Sequence, residues 1–179
     1  MKRLPPKFLS RLAKVKLFVC DVDGVLTDGA IFIGGSREIK RFNIHDGLGL
    51  VLLRRAGIKT AWVSSRPSQA TTMRARELKI TFLVQQKDKL SKAASIEAIL
   101  ARENLEWGNV CFVGDDIVDL WPLEKAGVGA AVSDAMDEAK AAADYVTRSA
   151  GGHGAVREMV ELILKAQGKW DAIIAGYKR

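Results

Sequence analysis

Two cysteines, two histidines and four prolines are all that the 179 residues contain of these types. Cys20 and Cys111 sit inside apolar runs far apart in sequence, so they read as small buried residues. They form no disulfide framework, and a zinc site would need more Cys and His in tight spacing. No apolar run approaches the roughly 18 residues that span a bilayer. The basic opening Met1-Lys2-Arg3 leads into no signal-type apolar stretch, so a cytoplasmic protein without a membrane partner is the expectation. G-x-x-x-x-G-K-[ST] does not occur, which removes a P-loop enzyme. A basic stripe interleaved with aromatics is also missing, and with it the usual platform for nucleic acid.

What is plentiful is positive charge: 28 Lys and Arg against 21 Asp and Glu, for a net +7. Lys2, Arg3, Lys7, Arg11, Lys14 and Lys16 fall in the first sixteen positions with no acidic residue among them. Residues 1–14 read as a solvated, partly disordered basic arm in preference to a nucleic-acid-binding one. The remaining excess is diffuse and suits an enzyme that attracts anionic substrates. The length fits about one domain, and 48% apolar residues can build a substantial core.

Short β-rich apolar runs at residues 15–20, 59–63, 81–84, 110–113 and 128–132 alternate with amphipathic stretches at 48–56, 68–78, 88–103, 117–125 and 136–143. Such alternation predicts βαβ units: an α/β, Rossmann-like three-layer sandwich with a parallel sheet. A last helix is expected over 154–166, leaving 168–179 as a tail. One segment breaks the rhythm. Residues 30–42, with Gly34-Gly35-Ser36 at their middle, read as a β-hairpin projecting directly after the first strand.

Asp21-Val22-Asp23-Gly24 follows the first strand, Ser64-Ser65-Arg66 the second, Lys89 the third, and Gly114-Asp115-Asp116-Ile117-Val118-Asp119 the fourth. A parallel sheet brings these strand ends into one crevice. The set is then a carboxylate pair, a hydroxyl, an ammonium and a second acidic cluster. Acidic groups suit a hard, oxygen-seeking Mg²⁺, while the hydroxyl and ammonium can hold phosphoryl oxygens.

In these four motifs the chain resembles the haloacid dehalogenase-like phosphohydrolases. The resemblance implies that Asp21 is the nucleophile and Asp23 the general acid–base. Ser64 and Lys89 then bind the phosphoryl group. Mg²⁺ sits on Asp21, Asp115 and the Asp23 carbonyl, supported by Asp116 and Asp119. The segments 21–40, 42–49, 113–120 and 151–158 narrow the likeness to the 3-deoxy-D-manno-octulosonate 8-phosphate phosphatases. That family implies a cap-less domain over residues 15–167, a phosphorylated sugar-acid substrate and a homotetramer. In such a tetramer the hairpins associate and neighbouring subunits, through the tail for instance, close each site. Its sugar-acid contacts map onto Asn43, Ile44, His45, Asp46, Gly47, Arg66 and Arg74. His45, Val51 and Ser65 depart from the family pattern, which keeps a nonulosonate 9-phosphate open as substrate. A non-catalytic module is disfavoured because no motif residue is lost.

Overall fold

The computed structural model describes residues 4–34, 37–86 and 92–178. The chain begins with helix α1 (Pro6–Ala13) and the central strand β1 (Leu17–Cys20), followed by the hairpin strands β2 (Phe32–Gly34) and β3 (Arg37–Ile39). Helix α2 (Ile44–Arg55), strand β4 (Lys59–Ser64), helix α3 (Gln69–Leu78) and strand β5 (Phe82–Gln85) build one half of the sheet. Helix α4 (Lys92–Glu103), strand β6 (Val110–Gly114), helix α5 (Leu120–Lys125), strand β7 (Val128–Ala131), helix α6 (Asp137–Ala142) and strand β8 (Tyr145–Val146) build the other. Helices α7 (Ala155–Ala166) and α8 (Trp170–Gly176) complete it.

Six parallel strands run in the order β5-β4-β1-β6-β7-β8. Strand β1 therefore pairs on both sides, Leu17 with Lys59 and with Val110, and is buried at every position. That is why it reads as a continuous apolar run rather than an alternating one. Helices α1, α2 and α7 pack together on one face, and α4, α5 and α6 on the other. Phe18, Trp62 and Phe112 are wholly buried between the layers, with Phe42 stacked on Trp62. Because the chain leaves β1 toward β4 and later crosses to β6, the order reverses at β1. The carboxyl ends of β1, β4 and β6 open there into a common crevice. No second domain interrupts the described residues, and none of their helices is long and apolar enough to cross a membrane.

Both chain ends depart from expectation. The basic arm is a docked helix over residues 6–13: Phe8 and Leu12, one turn apart, are buried. Arg11 holds the Asp144 carboxylate with two nitrogens at 2.7 and 2.5 Å and also donates to the Gly127 carbonyl. The abundant charge lies on the outer face and masks the short apolar stripe. An eight-residue helix forms only when its stripe is packed. The tail likewise folds back as α8, with Trp170 held between Arg157 and Lys165 at 5.4 and 5.2 Å from its ring centre. Tyr177 accepts from Arg55 of α2 at 3.3 Å.

If α1 belongs to the folded domain, Leu12→Ala should destabilise it by about 2–4 kcal/mol in urea titration. The exposed Lys14→Ala should cost almost nothing. Equal midpoints for the two variants and wild type would mean the helix contributes no packing.

Candidate active site

Asp21 is the first residue past β1. Its backbone N–H still bonds to Val113 of β6, which holds the carboxylate over the crevice. One carboxylate oxygen accepts from the Val22 N–H at 2.7 Å and the other from Lys92 Nζ at 2.7 Å. The same ammonium donates to Asp119 at 2.7 Å, so Lys92 bridges the ends of β1 and β6. All three side chains are buried. Asp119, wholly buried, also accepts from the Asp115 N–H at 3.0 Å and so shapes the loop that presents Asp115. Asp21, Asp115 and Asp119 each place a carboxylate oxygen within 4.8 Å of the others.

Glycines make this crowding possible. A Cβ at Gly24, whose φ is +87°, would lie 2.1 Å from the Asp115 carboxylate. One at Gly151 would lie 1.7 Å from the Gly24 carbonyl. The loop at 151–154 thus packs directly beneath the turn that carries Asp21 and Asp23, and Gly152 donates to Val25 at 2.9 Å.

Electrostatically, three carboxylates face one ammonium. Burial, then the charge of Asp119, pushes the Asp21 carboxyl up to about 7, against the pull of Lys92. Burial, then Asp21 and Asp119, pushes Asp115 up to about 8. Burial opposes the charge on Lys92, but Asp21 and Asp119 outweigh it and hold the ammonium up to about 12. Asp115 Oδ1 is buried without a hydrogen-bond partner. Surplus negative charge and an orphaned oxygen beside it fit a hard divalent cation. Asp21, Asp115 and Asp119 are the carboxylates grouped closely enough to hold one, and Asp115 carries the unpartnered oxygen.

A cleft of about 160 Å³ is lined by Asp21, Asp23, Ser64, Ser65, Arg66, Lys92, Asp115, Asp116 and Val118. A larger groove of about 460 Å³ between β5 and α4 has no carboxylate among its described lining residues. Ser64 ends β4, and its hydroxyl is tied to Arg66 N and O at 3.0 and 3.2 Å. Asp116 caps the turn at Ile117–Asp119 through the Ile117 N–H. Asp23 meets Lys40, and Arg66 meets Glu38 at 2.5 Å.

Sequence reasoning selected Lys89 as the ammonium. Lys89 lies outside the described residues; among the described residues, the ammonium that reaches Asp21 belongs to Lys92. A signal for this was present: Lys92 shares a helical stripe with Ile96, Ile99 and Leu100, all buried toward the sheet. Asn43, Ile44, His45, Asp46 and Gly47 do not line the cleft. Asn43 caps α2 by accepting from His45 N at 2.8 Å. Asp46 caps α7 from across the layer, accepting from Gly154 N at 3.2 Å and Arg157 N at 2.7 Å. Gly47 leaves room for the Arg74 guanidinium, which pairs with Glu77 at 2.7 Å. Ile44 and His45 are exposed. A loop motif can be built for packing as well as for contact, and these capping bonds are invisible before α7 is placed.

A carboxyl that titrates near 8 when folded and near 4 when unfolded keeps a proton in the native state that the unfolded chain has released. It therefore subtracts stability progressively as pH rises from about 4 to 8. In chelator, Asp115→Asn should melt higher than wild type at pH 8, with the gap roughly halved at pH 6. Millimolar Mg²⁺ should stabilise wild type selectively at pH 8 in the same thermal scans. A gap of the same size at both pH values would contradict this account.

Residues 82–159 match the family model described as haloacid dehalogenase-like hydrolase. The chain is 40% identical to the 3-deoxy-D-manno-octulosonate 8-phosphate phosphatase of Escherichia coli K12 over 165 residues, 91% of this chain and 86% of that one. The crystal structure of the Moraxella catarrhalis enzyme of that name, with magnesium, phosphate and KDO bound, superposes with a TM-score of 0.92. Identity there is 37%, covering 96% of this chain and 98% of the other. The Yersinia pestis enzyme gives a TM-score of 0.90 at 37% identity over 94% and 90% of the two chains. On the sequence, the fold and the site together, the chain belongs to the haloacid dehalogenase-like hydrolases, in the 3-deoxy-D-manno-octulosonate 8-phosphate phosphatase family.

Proposed function

We propose that the protein hydrolyses 3-deoxy-D-manno-octulosonate 8-phosphate to the free sugar acid and phosphate, with Mg²⁺, in the cytoplasm. The observation that carries this reading is the bridge of Lys92 between Asp21 and Asp119, beside the unpartnered oxygen of Asp115. The magnesium, phosphate and KDO bound to the Moraxella catarrhalis relative support it.

In this reading Asp21 attacks phosphorus, and the bond from phosphorus to the ester oxygen breaks. Asp23 hands its proton to the departing oxygen, releasing the sugar acid and leaving an aspartyl phosphate. Asp23, now a carboxylate, takes a proton from a water that attacks the same phosphorus, which frees phosphate and returns Asp21. Lys92 neutralises charge on the phosphoryl oxygens, and Ser64 adds a donor once it leaves Arg66. Asp21, Asp115 and the Asp23 carbonyl would hold Mg²⁺, which supplies positive charge to the carboxylates and to the phosphoryl group. Asp116 and Asp119 keep that loop in shape. Arg66, at the rim, is the guanidinium for the substrate carboxylate, with Arg74 a contact for a neighbouring subunit's substrate.

Assembly as a homotetramer is part of the same proposal. Ile31, Phe32, Ile33 and Ile39 of the hairpin are 49%, 51%, 80% and 61% exposed. Four large apolar side chains on one projecting ribbon are characteristic of an interface.

Phosphate release from octulosonate and nonulosonate phosphates tests the chemistry. The octulosonate ester should be preferred, with Asp21→Asn and Lys92→Met each losing about a thousandfold or more in kcat. Turnover of the nonulosonate ester alone would discard the substrate and keep the mechanism, whereas an inactive Lys89→Ala with an active Lys92→Met would reverse the assignment of the ammonium. For assembly, Phe32→Glu with Ile33→Glu should reduce the light-scattering mass to that of smaller species; an unchanged tetramer would remove the hairpin from the interface.

A further inference from the structure

Lys40 stands immediately after β3, at the foot of the hairpin, and only 1% of its side chain is exposed. Its ammonium lies 2.6 and 2.9 Å from the two carboxylate oxygens of Asp23. Glu38 Oε1, on the same strand, is 3.4 Å away, and Glu38 Oε2 is held by Arg66 at 2.5 Å. A buried ammonium without partners is costly, so Lys40 is stable there only with these carboxylates around it. None of the four sequence motifs contains it.

Asp23 itself is followed by Gly24 in a left-handed turn, and its side chain is 21% exposed at the cleft. Nothing else in the described hydrogen-bond network holds that carboxylate. Left alone, it would sample several rotamers at the mouth of the site. With both oxygens on one ammonium, its plane is set. One oxygen can turn toward the substrate while the other keeps its bond to Lys40.

We infer that Lys40 is a positioning residue, which holds the Asp23 carboxylate in the orientation needed to give and take the proton. The inference rests on the reading of Asp23 as general acid–base. It also makes the hairpin part of the catalytic apparatus, since β3 delivers both Lys40 and Glu38.

A double-mutant cycle with octulosonate phosphate tests it, using Lys40→Met, Asp23→Asn and the pair. Lys40→Met should lower kcat about ten- to a hundredfold with KM within about threefold, and Lys40→Arg should recover most of the loss. On the Asp23→Asn background, Lys40→Met should cost less than about twofold, because nothing remains to be positioned. Equal factors on both backgrounds would overturn the role of Lys40 while leaving that of Asp23 intact. Wild-type kcat in Asp23→Asn would overturn the acid–base reading, and Lys40 with it. Should the Met variant fail to fold, by circular dichroism and light scattering, Lys40→Gln enters the cycle in its place with the same expectations.

Discussion

The Lys92 ammonium, buried between Asp21 and Asp119, is the contact on which the rest of the site depends. Without it, two buried carboxylates would face a third at the ends of adjacent strands, and like charges at such distances repel strongly in a low dielectric. The ammonium compensates only part of that charge. Burial, and then this excess, raises the carboxyls of Asp21 and Asp115 far above the ordinary range, and an oxygen of Asp115 is left unpartnered. A site strained in this way in the metal-free protein becomes favourable when a divalent cation arrives. Strain and function have the same origin.

The surrounding scaffold holds the carboxylates together against that repulsion. Parallel pairing of β1 with β6 fixes the distance between Asp21 and the acidic loop. Gly24 admits the Asp115 carboxylate, and Gly151 admits the Gly24 carbonyl, so two loops from distant parts of the chain nest without side chains between them. Asp46 ties α2 to the start of α7, immediately after that second loop. Asp46, which the family resemblance assigns to the substrate, also anchors the end of that loop.

The hairpin joins two roles that are usually separate. It exposes Phe32 and Ile33, while Glu38, paired in register with Ile33, and Lys40 reach Arg66 and Asp23 of the cleft. In the proposed tetramer, burial of Phe32 and Ile33 would steady the paired strand that leads to both charged groups. Assembly and orientation of Asp23 would then be coupled through one short ribbon of backbone.

Much of this was legible in the linear chain. The alternation of apolar runs and amphipathic stretches determined a parallel α/β sheet, because strands buried on both faces and helices buried on one leave distinct periodicities. Strand-end placement determined the positions of Asp21, Ser64 and Asp115, since the turn after a parallel strand has only one edge to face. Tertiary structure alone decided that the Lys92 ammonium meets Asp21 and Asp119, because that contact joins the start of α4 to the ends of β1 and β6. It alone decided that Asn43 and Asp46 serve as caps, that residues 6–13 dock, and that Lys40 meets Asp23. Each of those contacts joins elements far apart in sequence or hidden behind surface charge, and no local pattern encodes the distance across a fold.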